Sequence, residues 1–193
     1  MGLACSRPIT NRVGCGPALL PRNVLDVEPL YQRVFGCGPA ALTMVLNYHG
    51  IDISLDAATE ELYSESLKGT LITDMRKLAS RYFPSARIEK STPCAVMMAV
   101  SRGNPVILFV DLGTGPISSP HYVVVVGYDI DRQELVYHNG FSKFVTAPIE
   151  EINEKWKKTG FLALYVAPDK RGTSFPSHSP VHRVQRPRDL HRP

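Results

Sequence analysis

Cysteine is scarce in this chain. Only four occur among the 193 residues, and no two of them form a Cys-x-x-Cys pair. The spacing therefore indicates neither a zinc site nor, in a chain of this length, a scaffold held together by disulfides. The four are Cys5, Cys15, Cys37 and Cys94. Because a nucleophilic thiol has to remain reduced, the sequence favours a reducing compartment.

Long apolar runs are also missing. No stretch approaches the roughly 20 apolar residues of a membrane-spanning helix, so none is predicted. The first 24 residues lack the apolar core of a secretory signal. They begin with Met1-Gly2, in a short pattern that fits N-myristoylation. The alternative is an ordinary flexible terminus. We expect a cytoplasmic protein, or a protein of the cell envelope if the true start lies upstream.

Most of the chain has no excess charge of either sign. The formal net charge of +4 arises from residues 169–193, where six basic residues face two acidic ones. Nucleic-acid binding needs basic residues on a folded face, with aromatic residues to stack on bases, and the sequence shows neither. We therefore expect no nucleic-acid partner. The last 25 residues also hold four prolines and several serines, which predicts a disordered basic tail over 169–193.

The remaining pattern predicts an α+β domain. Residues 1–24 form an irregular leader, and residues 25–168 form the domain. Apolar periodicity and capping residues predict helices over 38–49, 55–64, from Thr70 or Thr73 to 82, over 93–100 and over 150–158. Strands are predicted over 87–89, 106–110, 122–129, 134–138 and 161–166. Since helices come first and the strands of a hairpin follow, we expect helices packed on a C-terminal antiparallel sheet.

Cys37 is the first candidate catalytic residue. It lies between Gly36 and Gly38, immediately before Pro39, which suits the first turn of a helix. A helix N-terminus and a neighbouring imidazolium both lower a thiol pKa, which makes the sulfur nucleophilic. The backbone N–H of Cys37 and the side-chain amide of Gln32 are candidate donors to an oxyanion. The alternative is a small buried cysteine, as most unpaired cysteines are.

His121 is the second candidate. It opens the apolar strand that runs to Asp129, where an imidazole can reach back to the Cys37 sulfur. Its alternative is a partly exposed residue at a strand entry. His49 lies three turns from the sulfur, and His138 is a weaker competitor on the next strand.

Asn139 is the candidate third residue, because a side-chain amide oxygen can hold the second nitrogen of the imidazole. It follows the strand that forms a hairpin with the His121 strand, and Gly140 comes next, so it can equally be a turn residue. Asp111 and Asp129 remain alternatives.

The combined motifs resemble the bacteriocin-processing (double-glycine-leader) cysteine peptidases and their stand-alone relatives. The resemblance covers about residues 25–168 and rests on Gln32…Cys37-Gly38-Pro39-Ala40-Ala41-Leu42, Gly103-Asn104-Pro105-Val106-Ile107, His121-Tyr122-Val123-Val124-Val125-Val126-Gly127-Tyr128-Asp129 and Trp156…Ala163-Leu164-Tyr165-Val166. It implies a papain-like fold, Cys37 as nucleophile, His121 as base and Gln32 as oxyanion donor. It implies no metal or organic cofactor.

This chain departs from that family in two respects. The third residue of the family is commonly an aspartate before proline, whereas this chain has Asn139-Gly140. The best-known members are fused to an exporter, and this chain has no phosphate-binding Gly-x-x-x-x-Gly-Lys loop. We therefore expect a stand-alone peptidase that acts on a peptide or protein. A separate transporter or envelope complex is a second candidate partner.

Two other functions use the same residues. An acyl or dipeptidyl transferase passes the acyl group to an amine or thiol instead of water, and a catalytically silent module only binds peptides. Small residues behind Cys37, namely Gly38, Ala40 and Ala41, suggest a cleft for small side chains.

Overall fold

The computed structural model describes residue 15, residues 19–31 and residues 36–168. The predicted tail over 169–193 and most of the predicted leader lie outside these residues. The described residues form five helices and seven strands. The helices are α1 (Cys37–Tyr48), α2 (Leu55–Leu62), α3 (Ile72–Tyr82), α4 (Pro93–Ser101) and α5 (Ile149–Lys157). The strands are β1 (Arg22–Val24), β2 (Arg87–Lys90), β3 (Val106–Asp111), β4 (Pro120–Asp129), β5 (Glu134–His138), β6 (Val145–Pro148) and β7 (Leu162–Tyr165).

All seven strands belong to one antiparallel sheet, so the α+β prediction is confirmed. Its order is β2-β7-β3-β4-β5-β6, and β1 pairs with the far end of β4. The longest strand, β4, is central: it pairs with β3 along its first half and with β5 along its second. His121 lies at the start of this strand, opposite Val110 of β3.

The sheet is covered by helices on both faces. Alternate residues of β4 point to opposite faces. Tyr122 and Val124 belong to a core cluster with α1 and α3, while Val123 and Val125 belong to a second cluster with α4 and α5. Burial on both faces explains why β4 is apolar at consecutive positions rather than at every second one.

Two strands were not predicted. β1 lies within residues assigned to the irregular leader, and β6 ends at Pro148. β1 has three residues and β6 has four, which is too short for a clear apolar alternation to be read from the sequence. β1 is packed closely against β4, since a Cβ on Gly127 would lie 2.8 Å from the carbonyl oxygen of Asn23.

A disulfide joins Cys15 to Cys94 at the start of α4, with 5.2 Å between their Cα atoms. It runs against the reducing compartment that the sequence favoured, since disulfides persist mainly in oxidising ones. The two cysteines are 79 residues apart in the chain, so no short spacing motif announces the bond. Cys37 is the free cysteine of the described residues.

No helix within the described part of the chain has both the length and the apolar character needed to span a membrane.

Candidate active site

Cys37 is the first residue of α1, and its thiol is partly buried. No side chain caps this helix, because its N-cap is Gly36. The first N–H groups of a helix have no partner within the helix. Those of Cys37 and Gly38 interact with the thiol and lower its pKa. Burial outweighs them and raises the pKa of Cys37 above the ordinary thiol value, contrary to the prediction that the helix and an imidazolium would lower it.

A third N–H near the Cys37 thiol comes from β4. The Phe109 carbonyl accepts a hydrogen bond from the Thr159 hydroxyl, which places the backbone groups of Phe109 on the side away from β4. Tyr122, the residue facing Phe109, must then direct its N–H away from β3 as well. The pairing of β4 with β5 begins only at Val124, so the N–H of Tyr122 lies beyond the end of β5. There it interacts with the Cys37 thiol and lowers the pKa of that thiol.

Gly38 is required by close packing. A Cβ at this position would lie 2.6 Å from Cβ of Thr70, a distance that real contacts do not reach. The carbonyl oxygen of Thr70 accepts a hydrogen bond of 3.0 Å from the Tyr122 hydroxyl. Burial raises the pKa of this phenol, which remains a donor. The start of α1, the segment at Thr70 and the start of β4 are therefore fixed against one another.

His121 is buried, with 6% of its surface exposed. Its Nε2 lies 2.8 Å from the backbone carbonyl oxygen of Asn139. A carbonyl only accepts hydrogen bonds, so Nε2 carries the proton and Nδ1 of the neutral ring has a free lone pair. Burial lowers the pKa of His121, and the Asn139 carbonyl opposes that shift more weakly. At neutral pH the ring is thus an uncharged base.

The side chain of Asn139 has a different position from the one that the sequence predicted. Its Oδ1 accepts hydrogen bonds from the backbone N–H groups of Phe141, at 2.9 Å, and Ser142, at 2.7 Å. This amide oxygen therefore builds a turn, while the carbonyl of the same residue contacts the imidazole. Short polar side chains commonly accept hydrogen bonds from backbone N–H groups two or three residues ahead.

The turn after Asn139 carries Phe141 over the imidazole. The rings of Phe141 and His121 are stacked, with centroids 5.6 Å apart and planes 9° apart. Phe141 covers His121 on one face while 62% of its own surface stays exposed. No residue pattern in the sequence identified Phe141, although it lies two residues after the predicted Asn139.

Cys37 and His121 line the same cavity, which has a volume of about 810 Å³. Its walls come from a segment before α3, the segment before β4, and Phe141. The segment before α3 contributes Leu67, Lys68, Gly69, Thr70 and Leu71. The segment that leads into β4 contributes Ser118, Ser119 and Pro120. The structure thus brings together two of the predicted catalytic residues. Gln32, the predicted oxyanion donor, lies outside the described residues.

The competing residues have other partners. His138 is buried, with Nε2 2.9 Å from the Val27 carbonyl and Nδ1 accepting from the Phe144 N–H at 3.1 Å. Both of its nitrogens are therefore occupied by the backbone. His49 Nε2 lies 3.1 Å from the Val166 carbonyl, at the opposite end of α1 from Cys37.

The two alternative aspartates also serve local structure. Asp129 accepts a hydrogen bond from the Arg132 N–H. Asp111 accepts from the N–H groups of Gly113 and Ser119 and from the Ser118 hydroxyl, each at 2.8 Å. These bonds lower the pKa of Asp111 and fold the segment whose end lines the cavity.

The expectation about small residues behind Cys37 needs correction. Ala40 and Ala41 are each 1% exposed, and Gly38 is filled by Thr70. They admit close helix packing rather than substrate. Within the described residues, no group of three or more His, Cys, Asp or Glu side chains is arranged to hold a metal ion.

Solved structures with a similar fold come from peptidases. A putative C39-like peptidase from Bacillus anthracis is 19% identical with a TM-score of 0.61, over 76% of this chain and 98% of that one. The peptidase domain of Streptococcus ComA, a bi-functional ABC transporter of a quorum-sensing pathway, is 22% identical with a TM-score of 0.58, over 74% and 98%. A double glycine motif protease from an AMS/PCAT transporter, in complex with its leader peptide, is 20% identical with a TM-score of 0.59, over 75% and 94%.

At these identities the structures establish the papain-like α+β fold. None of the curated proteins compared with this chain matches it. The model of the Peptidase_C39 like family matches residues 24–164, which include both Cys37 and His121. This match covers well over half of the chain and agrees with the resemblance noted in the sequence. The protein is therefore a member of the Peptidase_C39 like family.

Proposed function

We propose that this protein is a cysteine peptidase in which the Cys37 thiol is the nucleophile and the His121 imidazole is the base. One observation carries the proposal. Cys37 at the start of α1 and His121 at the start of β4 line one cavity, and the Asn139 carbonyl holds the His121 tautomer that has a free lone pair on Nδ1. A thiol beside such a base is the arrangement of a thiol hydrolase.

The reaction then proceeds in two stages. As the sulfur bonds to the carbonyl carbon of the peptide, the thiol proton moves to Nδ1 of His121. The tetrahedral intermediate collapses, the C–N bond breaks, and the leaving amine takes the proton from His121. The acyl group remains on Cys37 as a thioester. Water attacks the thioester, with His121 again accepting the proton, and releases the acid and the free thiol.

Three groups assist in this proposal. The N–H of Cys37 is one donor to the developing oxyanion, and Gln32 is the second. Asn139 orients His121 through its carbonyl oxygen, in place of a side-chain acceptor. A neutral carbonyl stabilises an imidazolium less than a carboxylate does, so the charged form of His121 is short-lived.

The proposed substrate is a peptide with two glycines before the scissile bond. The similar double glycine motif protease was solved with a leader peptide bound, and the ComA domain belongs to a transporter. By analogy, we propose that this protein cleaves a leader-type peptide while it is associated with a separate transporter or envelope complex. Three exposed apolar side chains line the cavity and suit the apolar part of such a peptide: Leu67, Leu71 and Phe141.

The test is cleavage of synthetic leader peptides that contain Gly-Gly, with product masses read by mass spectrometry. Wild type should release the fragment that ends in Gly-Gly, while Cys37→Ala and His121→Ala should not. Matched peptides with Ala-Ala or Val-Val at the same place report the preference for glycine. Failure of the wild-type protein to cleave any of them would contradict the proposal.

Adding glutathione or an amine to the same reaction separates hydrolysis from acyl transfer. A product that carries the added thiol or amine identifies a transferase. Peptides that bind to the protein without being cleaved identify a silent binding module.

A further inference from the structure

One charged side chain stands out in the cavity that holds Cys37 and His121. Among the described residues that line it, Lys68 is the lone lysine, arginine, aspartate or glutamate. Burial lowers the pKa of His121, so the imidazole is uncharged at pH 8. The described lining of the cavity therefore presents a single positive charge and no carboxylate to a bound peptide.

The position of Lys68 is fixed by its loop. Ser64 and Gly69 form an antiparallel bridge, with N–H to carbonyl hydrogen bonds of 2.9 and 3.3 Å. The next residue, Thr70, is bound through its carbonyl to the hydroxyl of Tyr122, the neighbour of His121. Lys68 itself has a φ of 47°, a left-handed conformation that an L-residue adopts only where the surrounding turn requires it. This loop therefore fixes the backbone of Lys68 in the wall of the cavity, and its side chain is exposed there.

The charge of Lys68 is available to a ligand. The ion pairs between described residues join Arg81 to Glu61, Arg87 to Glu89, Arg132 to Glu134 and Lys155 to Glu151, and none of them includes Lys68. Exposed apolar side chains line the same cavity: Leu67 at 56%, Leu71 at 49% and Phe141 at 62% exposure. A cation in a concave, mainly apolar wall attracts anions more strongly than one on an open surface.

We propose that Lys68 selects peptides that carry a carboxylate close to the bond attacked by Cys37. The inference rests on the proposed peptidase function and names the class of substrate within it. The carboxylate is either an aspartate or glutamate side chain or the C-terminal carboxylate of a short peptide, since both present the same anion to an ammonium group.

The first experiment does not require turnover. Iodoacetate and iodoacetamide both alkylate Cys37 and differ mainly in charge, so the ratio of their rates reports the local potential. At pH 8 and low salt, Lys68→Met should lower the iodoacetate-to-iodoacetamide ratio about fivefold, and Lys68→Glu should lower it further. Lys77→Met is the matched control, because Lys77 is exposed on α3, does not line the cavity and changes the net charge equally. The modified Cys37 peptide is quantified by mass spectrometry.

The second experiment uses peptides that differ only in Glu, Gln or Lys at one position near Gly-Gly, and short peptides with a free or amidated C-terminus. Each is tested for cleavage and for protection of Cys37 from iodoacetamide. Wild type should bind and cleave the Glu or free-carboxylate member best, Lys68→Met should lose that preference, and Lys68→Glu should favour the Lys peptide. A preference for Glu over Gln and Lys indicates a side-chain carboxylate. A preference for the free over the amidated C-terminus indicates the terminal carboxylate.

Equal alkylation ratios in wild type and Lys68→Met, or equal peptide preferences, would overturn the role of Lys68. Normal cleavage with no charge preference leaves the peptidase proposal intact. Conversely, charge-selective protection of Cys37 without any cleavage supports the carboxylate site and contradicts the peptidase proposal.

Discussion

At the scale of single residues, burial acts on the two central groups in opposite directions. It raises the pKa of Cys37 and lowers the pKa of His121, and in both cases it disfavours the charged form. Both shifts favour an uncharged thiol and an uncharged imidazole in the shared cavity. In the proposed reaction the thiolate would form only as a substrate carbonyl is attacked, whereas the sequence predicted a thiol pKa that is already lowered by the helix and an imidazolium.

This resting state predicts the pH dependence of Cys37 alkylation. An ordinary thiol has a pKa of about 8.5, and burial raises the pKa of Cys37 above its ordinary value. The rate of alkylation by iodoacetamide should therefore keep increasing above about pH 8.5. The measurement is the alkylation rate of Cys37 from pH 5 to 10, by mass spectrometry. A rate that is already constant by about pH 7 would indicate a stable thiolate–imidazolium pair instead.

Asn139 is predicted to act through the turn that it builds. Asn139→Ala removes the acceptor of the Phe141 and Ser142 N–H groups and should lower the free energy of unfolding by about 1–2 kcal/mol. Asn139→Asp keeps a side-chain oxygen at the same place and should retain most of the stability. Urea unfolding of the three proteins measures both effects. Equal stability of wild type and Asn139→Ala would show that the turn does not depend on this side chain.

Phe141 is predicted to keep the pKa of His121 low. Phe141→Ala uncovers one face of the imidazole, so solvation of the charged ring should raise the pKa of His121. Titration of the His121 ring by NMR measures the shift, and Phe144→Ala, which removes the ring beside His138 instead, is the control. An unchanged His121 titration would mean that Phe141 does not contribute to its burial.

The sequence predicted that Cys37 and His121 would lie together better than it predicted their surroundings. Cys37 and His121 could be found because a glycine-flanked helix start and a buried strand each have a local signature. The sequence could not tell whether the carbonyl oxygen or the side-chain oxygen of Asn139 contacts His121, because both belong to the same residue. Phe141 and Lys68 had no signature, because their positions depend on turns that tertiary contacts define.

At the scale of elements, local signals decided which predictions were correct. α2 and α4 were predicted from apolar periodicity and capping residues, and their N-caps are Ser54 and Thr92. Each of these side chains accepts a hydrogen bond from the backbone N–H three residues ahead. The apolar run of β4 was equally clear. β1 and β6 were missed because each is a short strand that is stabilised by its neighbour in the sheet rather than by its own pattern.

The segment between β3 and β4 gives a test at this scale, because it forms one wall of the cavity. A Cβ on Gly113 would lie 1.9 Å from the Ile117 carbonyl oxygen, so Gly113→Ala must rearrange the Asp111 turn. We expect a loss of peptide cleavage and a decrease of about 1–3 kcal/mol in the free energy of unfolding. Gly69→Ala in the other wall is the control, since its Cβ would lie 3.8 Å from the nearest atom. Normal activity and stability of Gly113→Ala would contradict this structure of the segment.

At the scale of the whole molecule, the disulfide connects the N-terminal segment to the helices on the far face of the sheet. Cys15 is partly buried and packs against the core cluster of α4 and α5, as do Leu19 and Leu25. The bond closes a loop of 79 residues that includes Cys37 and α1 but not β4. Because the disulfide packs against the cluster of α4 and α5 and not against the cluster of α1 and α3, it should affect folding stability more than the chemistry proposed for Cys37.

Removal of this disulfide is predicted to destabilise the fold. In the chain-entropy model, a loop of that length corresponds to about 4–5 kcal/mol in the unfolding free energy. Denaturant unfolding of the Cys15→Ser/Cys94→Ser double variant, and of wild type with and without reductant, measures the loss. Cys37→Ser is the control that should respond to reductant as wild type does. Identical unfolding of oxidised and reduced wild type would show that the bond adds no stability.

The most direct test of the central claim is detection of the acyl group on Cys37 itself. A Gly-Gly peptide ester is mixed with the protein, the reaction is quenched in acid within milliseconds to seconds, and the Cys37 peptide is examined by mass spectrometry. Wild type should form a thioester on Cys37, and His121→Ala should form it about 100-fold or more slowly. An acyl group on another residue, or formation at the same rate in His121→Ala, would contradict the account.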